Sequence, residues 1–166
     1  MTLAYLTVIG NKQGQFKAEG VPVQHKASIP VLAFVMELAS ARGAAAGPVT
    51  GKRQYQPVTV VKEWGAASPQ GLAACATNEV LSTVKIEFSK TKPTGEEYTF
   101  QTVTLTNATL SGVRRFTGDL EAAEGLEPTS KEPTGLERWS FTFQKIEVAD
   151  VDGKTTFVDD WQAPVA

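Results

Sequence analysis

The chain has 166 residues, of which 42% are hydrophobic and 20% are charged, the composition of one ordinary globular domain spanning residues 1–166. Its formal net charge of −2 offers no electrostatic footprint for binding nucleic acid or anionic lipid. Cys75 is the single cysteine, which excludes an intrachain disulfide and a thiolate metal cage, and we expect no metal and no cofactor.

The N-terminus lacks the signature of a cleaved signal peptide, because no basic segment and apolar run precede a small-residue cleavage site. The apolar stretch at 29–39 is too short to span a bilayer. We therefore expect a protein that begins in the cytoplasm. Any later secretion has to use a route that reads no N-terminal signal.

The first part of the chain predicts strands separated by polar turns. Residues 3–9 predict a strand that stops at a turn over 11–14, where Asn and Gly tolerate positive φ. A second short strand is predicted over 15–20. The apolar run 28–38 is rich in β-branched and aromatic residues, which favours a buried strand, although its last residues also fit a helix.

A loop, a strand and a helix are predicted next. Residues 40–52 are small and include Gly and Pro, and a loop of this length predicts a mobile segment that reaches a partner. Residues 51–64 predict a strand of period two that begins in a basic turn. Ser68 and Pro69 then predict the cap and first turn of a helix that ends near Asn78. The buried face of this helix is predicted to hold Leu72, Cys75 and Ala76.

Long β segments fill the second half. Residues 80–88 alternate in polarity, and 97–113 continue as one extended strand whose apolar face changes side, which predicts a bulge or a passage between two sheets. A change of phase after Phe143 predicts another bulge, and a hairpin turn is predicted at Asp152. The acidic segment 118–135 is predicted to be a mobile surface loop. The whole pattern predicts a mainly β fold, a two-sheet β-barrel or sandwich with one short flanking α-helix.

Motifs for catalysis are missing from the sequence. His25 is the only histidine and is expected in a polar loop, and there is no nucleophile elbow of the Gly-x-Ser-x-Gly type. Residues 47–52 look like a phosphate loop but are one residue short, and Arg53 stands where Ser or Thr must hold magnesium. Asp150 and Asp152 have calcium-loop spacing without the later ligands. We therefore expect no enzymatic activity.

Four segments of the chain carry a pattern in a constant order: 5–19, YLTVIGNKQGQFKAE; 51–69, the basic turn, strand and helix start; 103–113, VTLTNATLSGV; and 136–148, LERWSFTFQKIEV. In this pattern the chain resembles the haemolysin-coregulated protein (Hcp) family, the tube proteins of type VI secretion systems. Trp161 matches the family's closing Trp. Tyr55 stands where the family usually has His, and Gly65 where Asp is common, which affects loop contacts and not the fold.

The resemblance implies a barrel-like subunit that assembles as a hexameric ring. Rings are then expected to stack into a hollow tube that carries a spike, sits inside a contractile sheath above a baseplate, and is ejected with small effectors in its lumen. The implied partners are further copies of the chain and these proteins, with no nucleic acid and no membrane. A tube protein of a phage tail or extracellular injection device is the alternative, and a small β-barrel enzyme or ligand-binding protein is a third hypothesis.

The sequence also offers candidates for the contacts between subunits. We expect the 40–52 loop to contribute to ring stacking, with basic residues at its base meeting acidic groups of the adjacent subunit. The candidate interface residues are Arg42, Lys52, Arg53, Tyr55 and Lys62.

Overall fold

The computed structural model describes residues 3–19, 28–40, 53–117 and 135–161, which form an antiparallel β structure with one α-helix. The predicted mainly β fold with a single flanking helix is confirmed. No helix in these ranges is long and apolar enough to cross a membrane. In chain order the elements are β1 Leu3–Gly10, β2 Gly14–Gln15, β3 Ile29–Val31, β4 Ala33–Val35, β5 Leu38–Ala39, β6 Gln54–Tyr55, β7 Val58–Glu63, α1 Ser68–Thr77, β8 Leu81–Thr91, β9 Glu97–Phe116, β10 Leu136–Thr142, β11 Lys145–Asp150 and β12 Thr155–Asp160.

Five strands and a divided sixth close into a barrel. Adjacent strands are antiparallel in the order β1, β8, β9, β10, β7. β3 pairs with β1 while β4 pairs with β7, and between them the Leu32 N–H donates to the Val61 carbonyl at 2.8 Å. The prediction of one buried strand over 28–38 is therefore wrong, because consecutive parts of this run pair with different neighbours at the seam of the barrel.

Two other predicted strands are shorter in the structure. The strand predicted over 15–20 is limited to β2, since the chain then turns Phe16 into the core, with its N–H donating to the Val8 carbonyl at 2.9 Å. The strand predicted over 51–64 is divided into β6 and β7 around Pro57, which has no N–H to give to a ladder. Residues 51–52 lie outside the described part.

The twenty-residue strand β9 belongs to both sheets. Its first half pairs with β8 and β11, and its second half pairs with β10. The register shifts at Phe100 and at Ser111, and Asn107 between them has a φ of 50°. These irregularities turn the strand from one sheet into the other. The predicted bulge or passage between two sheets is thus confirmed.

The change of phase predicted after Phe143 is a bend and not a bulge. Thr142 pairs with Thr109, and Lys145 pairs with Thr106, so the register with β9 continues unbroken from the end of β10 into β11. β10 ends where β11 begins because the partner strand itself turns there. The predicted hairpin turn is confirmed between β11 and β12, where the Gly153 N–H donates to the Asp150 carboxylate at 2.6 Å.

Apolar side chains fill the barrel interior. Trp139 and Phe141 are fully buried with their rings in edge-on contact, and Phe16 packs edge-on against the Trp139 indole with ring centroids 6.1 Å apart. The other fully buried strand residues of this core are Leu6, Val8, Val58, Val60, Leu81, Val84, Ile86, Leu105, Ala108 and Ile146.

Helix α1 covers this core with a different face from the predicted one. Its buried residues include Gly71 and Ala74, whereas Leu72 is 39% exposed and Cys75 is only partly buried. The predicted face was wrong because the Trp139 indole lies directly against Gly71, which leaves room only for small side chains. Ala76, the third predicted residue, is exposed as well.

The start of α1 also differs from the prediction. Ala67 is the N-cap residue and makes no side-chain cap bond, while Ser68 is the first residue of the helix. The Ser68 hydroxyl is buried and donates to Glu137 Oε1 at 2.7 Å, so it joins the helix to β10 instead of capping it. The positions of Pro69 in the first turn and Asn78 at the C-cap are as predicted.

A buried ionic cluster fixes β7, β10 and α1 together. Lys62 Nζ lies 2.8 Å from Glu137 Oε1 and 3.1 Å from Glu19 Oε1, and both the Lys62 and the Glu137 side chains are 0% exposed. The second Glu137 oxygen accepts a hydrogen bond from Arg115 Nε at 3.1 Å. Lys62 was predicted to be an interface residue, and this is wrong because its whole side chain is used inside the subunit.

The contact between α1 and Trp139 predicts that adding a single methyl group at Gly71 destabilises the protein. In Gly71→Ala the new Cβ overlaps the buried indole. Although Ala favours the helix by about 1 kcal/mol, overpacking should lower the free energy of unfolding by about 1–3 kcal/mol, measured by urea denaturation. Gly112→Ala is the control, because its Cβ meets no atom within 4 Å. A Gly71→Ala protein more stable than the wild type would contradict this packing.

The buried cluster predicts strong coupling between its charges. Lys62→Met leaves Glu137 buried without its ammonium partner and should lower the free energy of unfolding by about 3–5 kcal/mol. The double variant Lys62→Met with Glu137→Leu should lose less than the sum of the single variants, by about 1–3 kcal/mol. Lys85→Met, at an exposed lysine, is the control. Additive effects in this cycle would show that the pair does not act as a unit.

Candidate assembly surface

The five predicted interface residues fall into three groups. Arg42 and Lys52 lie outside the described residues, and their role stays a prediction. Lys62 is interior, as described above. Arg53 and Tyr55 come together at β6, and both bind Asp159 near the end of β12.

Asp159 receives three short hydrogen bonds from this pair. Arg53 Nε and Nη2 donate to the two carboxylate oxygens at 2.6 and 2.7 Å, and the Tyr55 hydroxyl donates to Oδ2 at 2.7 Å. This is the forked geometry in which arginine recognises a carboxylate. The acidic partner expected for Arg53 in an adjacent subunit is therefore found within its own chain, 106 residues away.

Aromatic packing completes the contact. The Tyr55 ring lies 5.3 Å from the Phe143 ring and 5.5 Å from the Trp161 ring, measured between centroids. The Trp161 indole N–H donates to the Phe143 carbonyl at 2.8 Å. We call Arg53, Tyr55, Phe143, Asp159 and Trp161 the C-terminal clamp. It holds the end of β12 against β6 and the bend between β10 and β11.

The clamp keeps Asp159 ionised. The hydrogen bond from Arg53 lowers the pKa of Asp159, with Tyr55 adding to this effect against the opposing influence of burial. Burial and then the hydrogen bond to Asp159 raise the pKa of Tyr55. Because the pKa of Asp159 is lowered on folding, its contribution to stability is present above the ordinary carboxyl pKa and is lost as the pH falls through the lowered value.

Sequence reasoning recognised Arg53 and Tyr55 but gave Asp159 no role. Asp159 occupies the core-facing side of β12, in the same cross-strand row as Ile146 and Leu105, which are fully buried. A charge at the end of such a row needs a partner from outside the sheet. The alternation of β12 is the one signal in the sequence that indicates this, and it does not name the partner.

Within the described ranges, strand β12 has one free edge. It pairs in six consecutive positions with β11 and, among the described residues, with no other strand. Residues 155–158 are exposed and uncharged, and they contain no proline. Phe157 is 43% exposed and Val158 is 50% exposed, on opposite faces of the strand. Such an edge is suited to pairing with another chain.

The sheet formed by β8, β9, β11 and β12 has one face that carries no helix. Alternation directs Val84, Leu105 and Ile146 into the core and the intervening residues to the other side. We call this second side the open face. It has mixed charges and many threonines, and its residues are Thr83, Lys85, Glu87, Thr102, Thr104, Thr106, Lys145, Glu147, Ala149, Thr156, Val158 and Asp160.

The described part of the chain has little that could perform chemistry. No group of three or more His, Cys, Asp or Glu side chains in it is arranged to hold a metal ion. A cleft of about 460 Å³ lies beside the buried ionic cluster, lined by Glu19, Glu63 and Trp64 among others. The Glu19 carboxylate in this cleft already binds Lys62 and the Ala67 N–H.

Comparisons with known proteins identify a family and a relative that is similar over nearly the whole chain. The family model described as type VI secretion system effector, Hcp, matches residues 5–149. The Major exported protein of Pseudomonas aeruginosa PAO1 is 29% identical over 174 aligned residues, which cover 99% of this chain and 98% of that protein.

Solved structures share the fold. A crystal structure of an Hcp protein superposes with a TM-score of 0.83 at 18% identity, covering 99% of this chain and all of the other. The secreted protein Hcp3 from Pseudomonas aeruginosa has a TM-score of 0.74 at 24% identity, covering 98% of this chain and all of the other. Hexameric ring assembly is known for this family, and a type VI component fits these matches better than a tube protein of another contractile particle. The chain belongs to the Hcp family of type VI secretion system effector and tube proteins.

Proposed function

We propose that this chain is a non-enzymatic subunit of the inner tube of a type VI secretion system. Six copies form a ring, rings stack into a hollow tube, and a contractile sheath ejects the tube together with its cargo. The observation that carries this proposal is the free edge of β12, with six regular positions and two exposed apolar side chains. The family membership of the chain supports it.

An unprotected edge of this kind has to be covered. Natural edge strands are usually blunted by lysine, proline, a bulge or a covering element. Residues 155–158, Thr-Thr-Phe-Val, have none of the first three within them. In a ring, each subunit offers two different surfaces, so the edge of β12 meets a second patch on the next copy. We infer that this patch lies on the opposite lateral side of the sheet, where β1 and β3 run.

The open face then lines the channel. The barrel core and α1 occupy the other side of the same sheet, and they are too bulky to face a narrow lumen. Threonine hydroxyls and charged side chains of both signs give this wall a hydrated surface on which neither sign of charge dominates. Lys85 and Glu87 are an example, with Nζ and Oε1 3.4 Å apart. Small effector proteins of varied charge can pass along such a wall without being held by strong electrostatic attraction.

The remaining parts of the proposal concern partners and location. Sheath, spike and baseplate proteins contact the outside and the ends of the tube, and Arg42 and Lys52 remain the candidates for contacts between stacked rings. The tube assembles in the cytoplasm and is then secreted. A net charge of −2 supports the absence of nucleic acid and membranes among the partners.

Ring assembly can be tested at the edge of β12. Val158→Lys places a charge in the middle of the free edge, which is how natural edges prevent pairing. It should convert hexamers into monomers in sedimentation velocity and remove rings from electron micrographs, with the melting temperature of the monomer nearly unchanged. Leu72→Lys on α1 is the matched control, since Leu72 is another exposed apolar residue. Rings that persist in Val158→Lys but vanish in Leu72→Lys would move the interface from β12 to α1.

The position of the channel wall can be tested by cysteine labelling. In a Cys75→Ser background, Thr104→Cys lies on the open face and Ala73→Cys on the exposed side of α1. A small maleimide should modify both cysteines in assembled rings. A maleimide coupled to a protein too large for the channel should modify only Ala73→Cys. Equal modification of both by the large reagent would contradict the assignment of the open face to the lumen.

A further inference from the structure

Strand β12 is held firmly at one end only. Its last residues are partly buried, and Asp159 contacts Arg53 and Tyr55. Its first four residues are exposed and are paired only with β11 among the described strands. The edge that the proposed ring interface uses is therefore the part of the strand with the least support from its own subunit.

The C-terminal clamp is built to restrain that strand. Arg53 binds both Asp159 oxygens, so the carboxylate is fixed in orientation as well as position. The Trp161 indole N–H binds the Phe143 carbonyl directly after the strand, and the Gln144 amide lies 3.3 Å from the Asp160 carboxylate. Four residues outside the strand, Arg53, Tyr55, Phe143 and Gln144, thus hydrogen-bond to residues 159–161, whereas residues 155–158 are held by their pairing with β11.

We propose that Asp159 is a positioning residue for ring assembly: through Arg53 and Tyr55 it holds the free edge of β12 in register, so that a second copy of this chain can pair with it. This inference rests on the proposed ring function. Asp159 does not itself contact the neighbouring copy, because its carboxylate faces the core side and is occupied within the subunit.

The physical reason is pre-organisation. A strand that has to be ordered when the partner arrives spends part of the association free energy on that ordering. A strand already fixed at one end has fewer conformations to lose. The bidentate bond therefore strengthens assembly without adding any contact between subunits, and one such bond per subunit acts at each of the interfaces of a closed ring.

The test compares Asp159→Asn with Asp160→Asn in the full chain. Asparagine at 159 keeps the shape but removes the charge that Arg53 binds, whereas Asp160 belongs to the opposite face and its neighbour Gln144 can still bind an amide. Asp159→Asn should raise the protein concentration at which half the chains are in rings by at least about tenfold, measured by sedimentation. Asp160→Asn should change it by less than about twofold.

A second measurement separates positioning from general stability. Hydrogen exchange of amides 155–158 in dilute monomer should become at least about tenfold faster in Asp159→Asn, while amides in β8 and β9 keep their rates. Arg53→Lys keeps the positive charge but loses the forked hydrogen bond, so its ring-forming concentration and its exchange rates at 155–158 should lie between those of the wild type and Asp159→Asn. If Asp159→Asn fails to fold, the same two measurements on Arg53→Lys test the positioning role.

The outcomes are distinct. An Asp159→Asn protein with a lower melting temperature but wild-type ring formation and wild-type exchange at 155–158 would overturn the positioning role. Wild-type protein that stays monomeric at every concentration would overturn the proposed ring function itself. In that case unchanged exchange in the variants overturns the clamp as well, and faster exchange at 155–158 retains it as a restraint on β12.

Discussion

The structure depends on β9, which is paired with β8 over 97–108, with β11 over 101–106 and with β10 over 109–116, so that its middle is held along both edges. β8 follows one edge, and β10 and β11 follow the other in a single register through the bend. A strand with two fixed neighbours cannot slip by one residue without moving its apolar side chains out of the core. The barrel, the sheet that continues beyond it and the free edge of β12 are all placed by this register, because each is attached to β9 through one of these neighbours.

Two ionic contacts fix elements around these sheets, and they differ in burial and in effect. Lys62 and Glu137 lie in the interior and tie α1 to β7 and β10 with no exposed surface. Arg53 and Asp159 lie nearer the surface, at side-chain exposures of 38% and 14%, and tie β12 to the segment before β7. The first contact costs desolvation and requires every hydrogen bond to be made. The second is partly hydrated, so its contribution lies more in orientation than in strength.

The sequence predicted the elements better than their contacts. Alternation in 80–88 and 97–113 located β8 and β9, and Asn78 marked the end of α1, because these signals are local. The seam at Leu32 and the buried face of α1 were missed, since they depend on which distant residues arrive there. The role of Lys62 was missed for the same reason: a lysine in a strand is usually exposed, and its partner Glu137 lies 75 residues away. The four sequence segments in constant order indicated the protein family, whereas the local strand and turn patterns indicated only a mainly β fold.

Alternation along the strands also explains how one sheet can serve two purposes. Along β9, Val103 and Leu105 point into the core while Thr102, Thr104 and Thr106 point away from it. Threonine keeps the β-branched shape that strands favour and adds a hydroxyl that stays hydrated. The strand therefore keeps its propensity and its packing while its other face remains free of apolar side chains. A tube wall needs this combination, because its outer side has to hold the subunit together and its inner side has to let cargo pass.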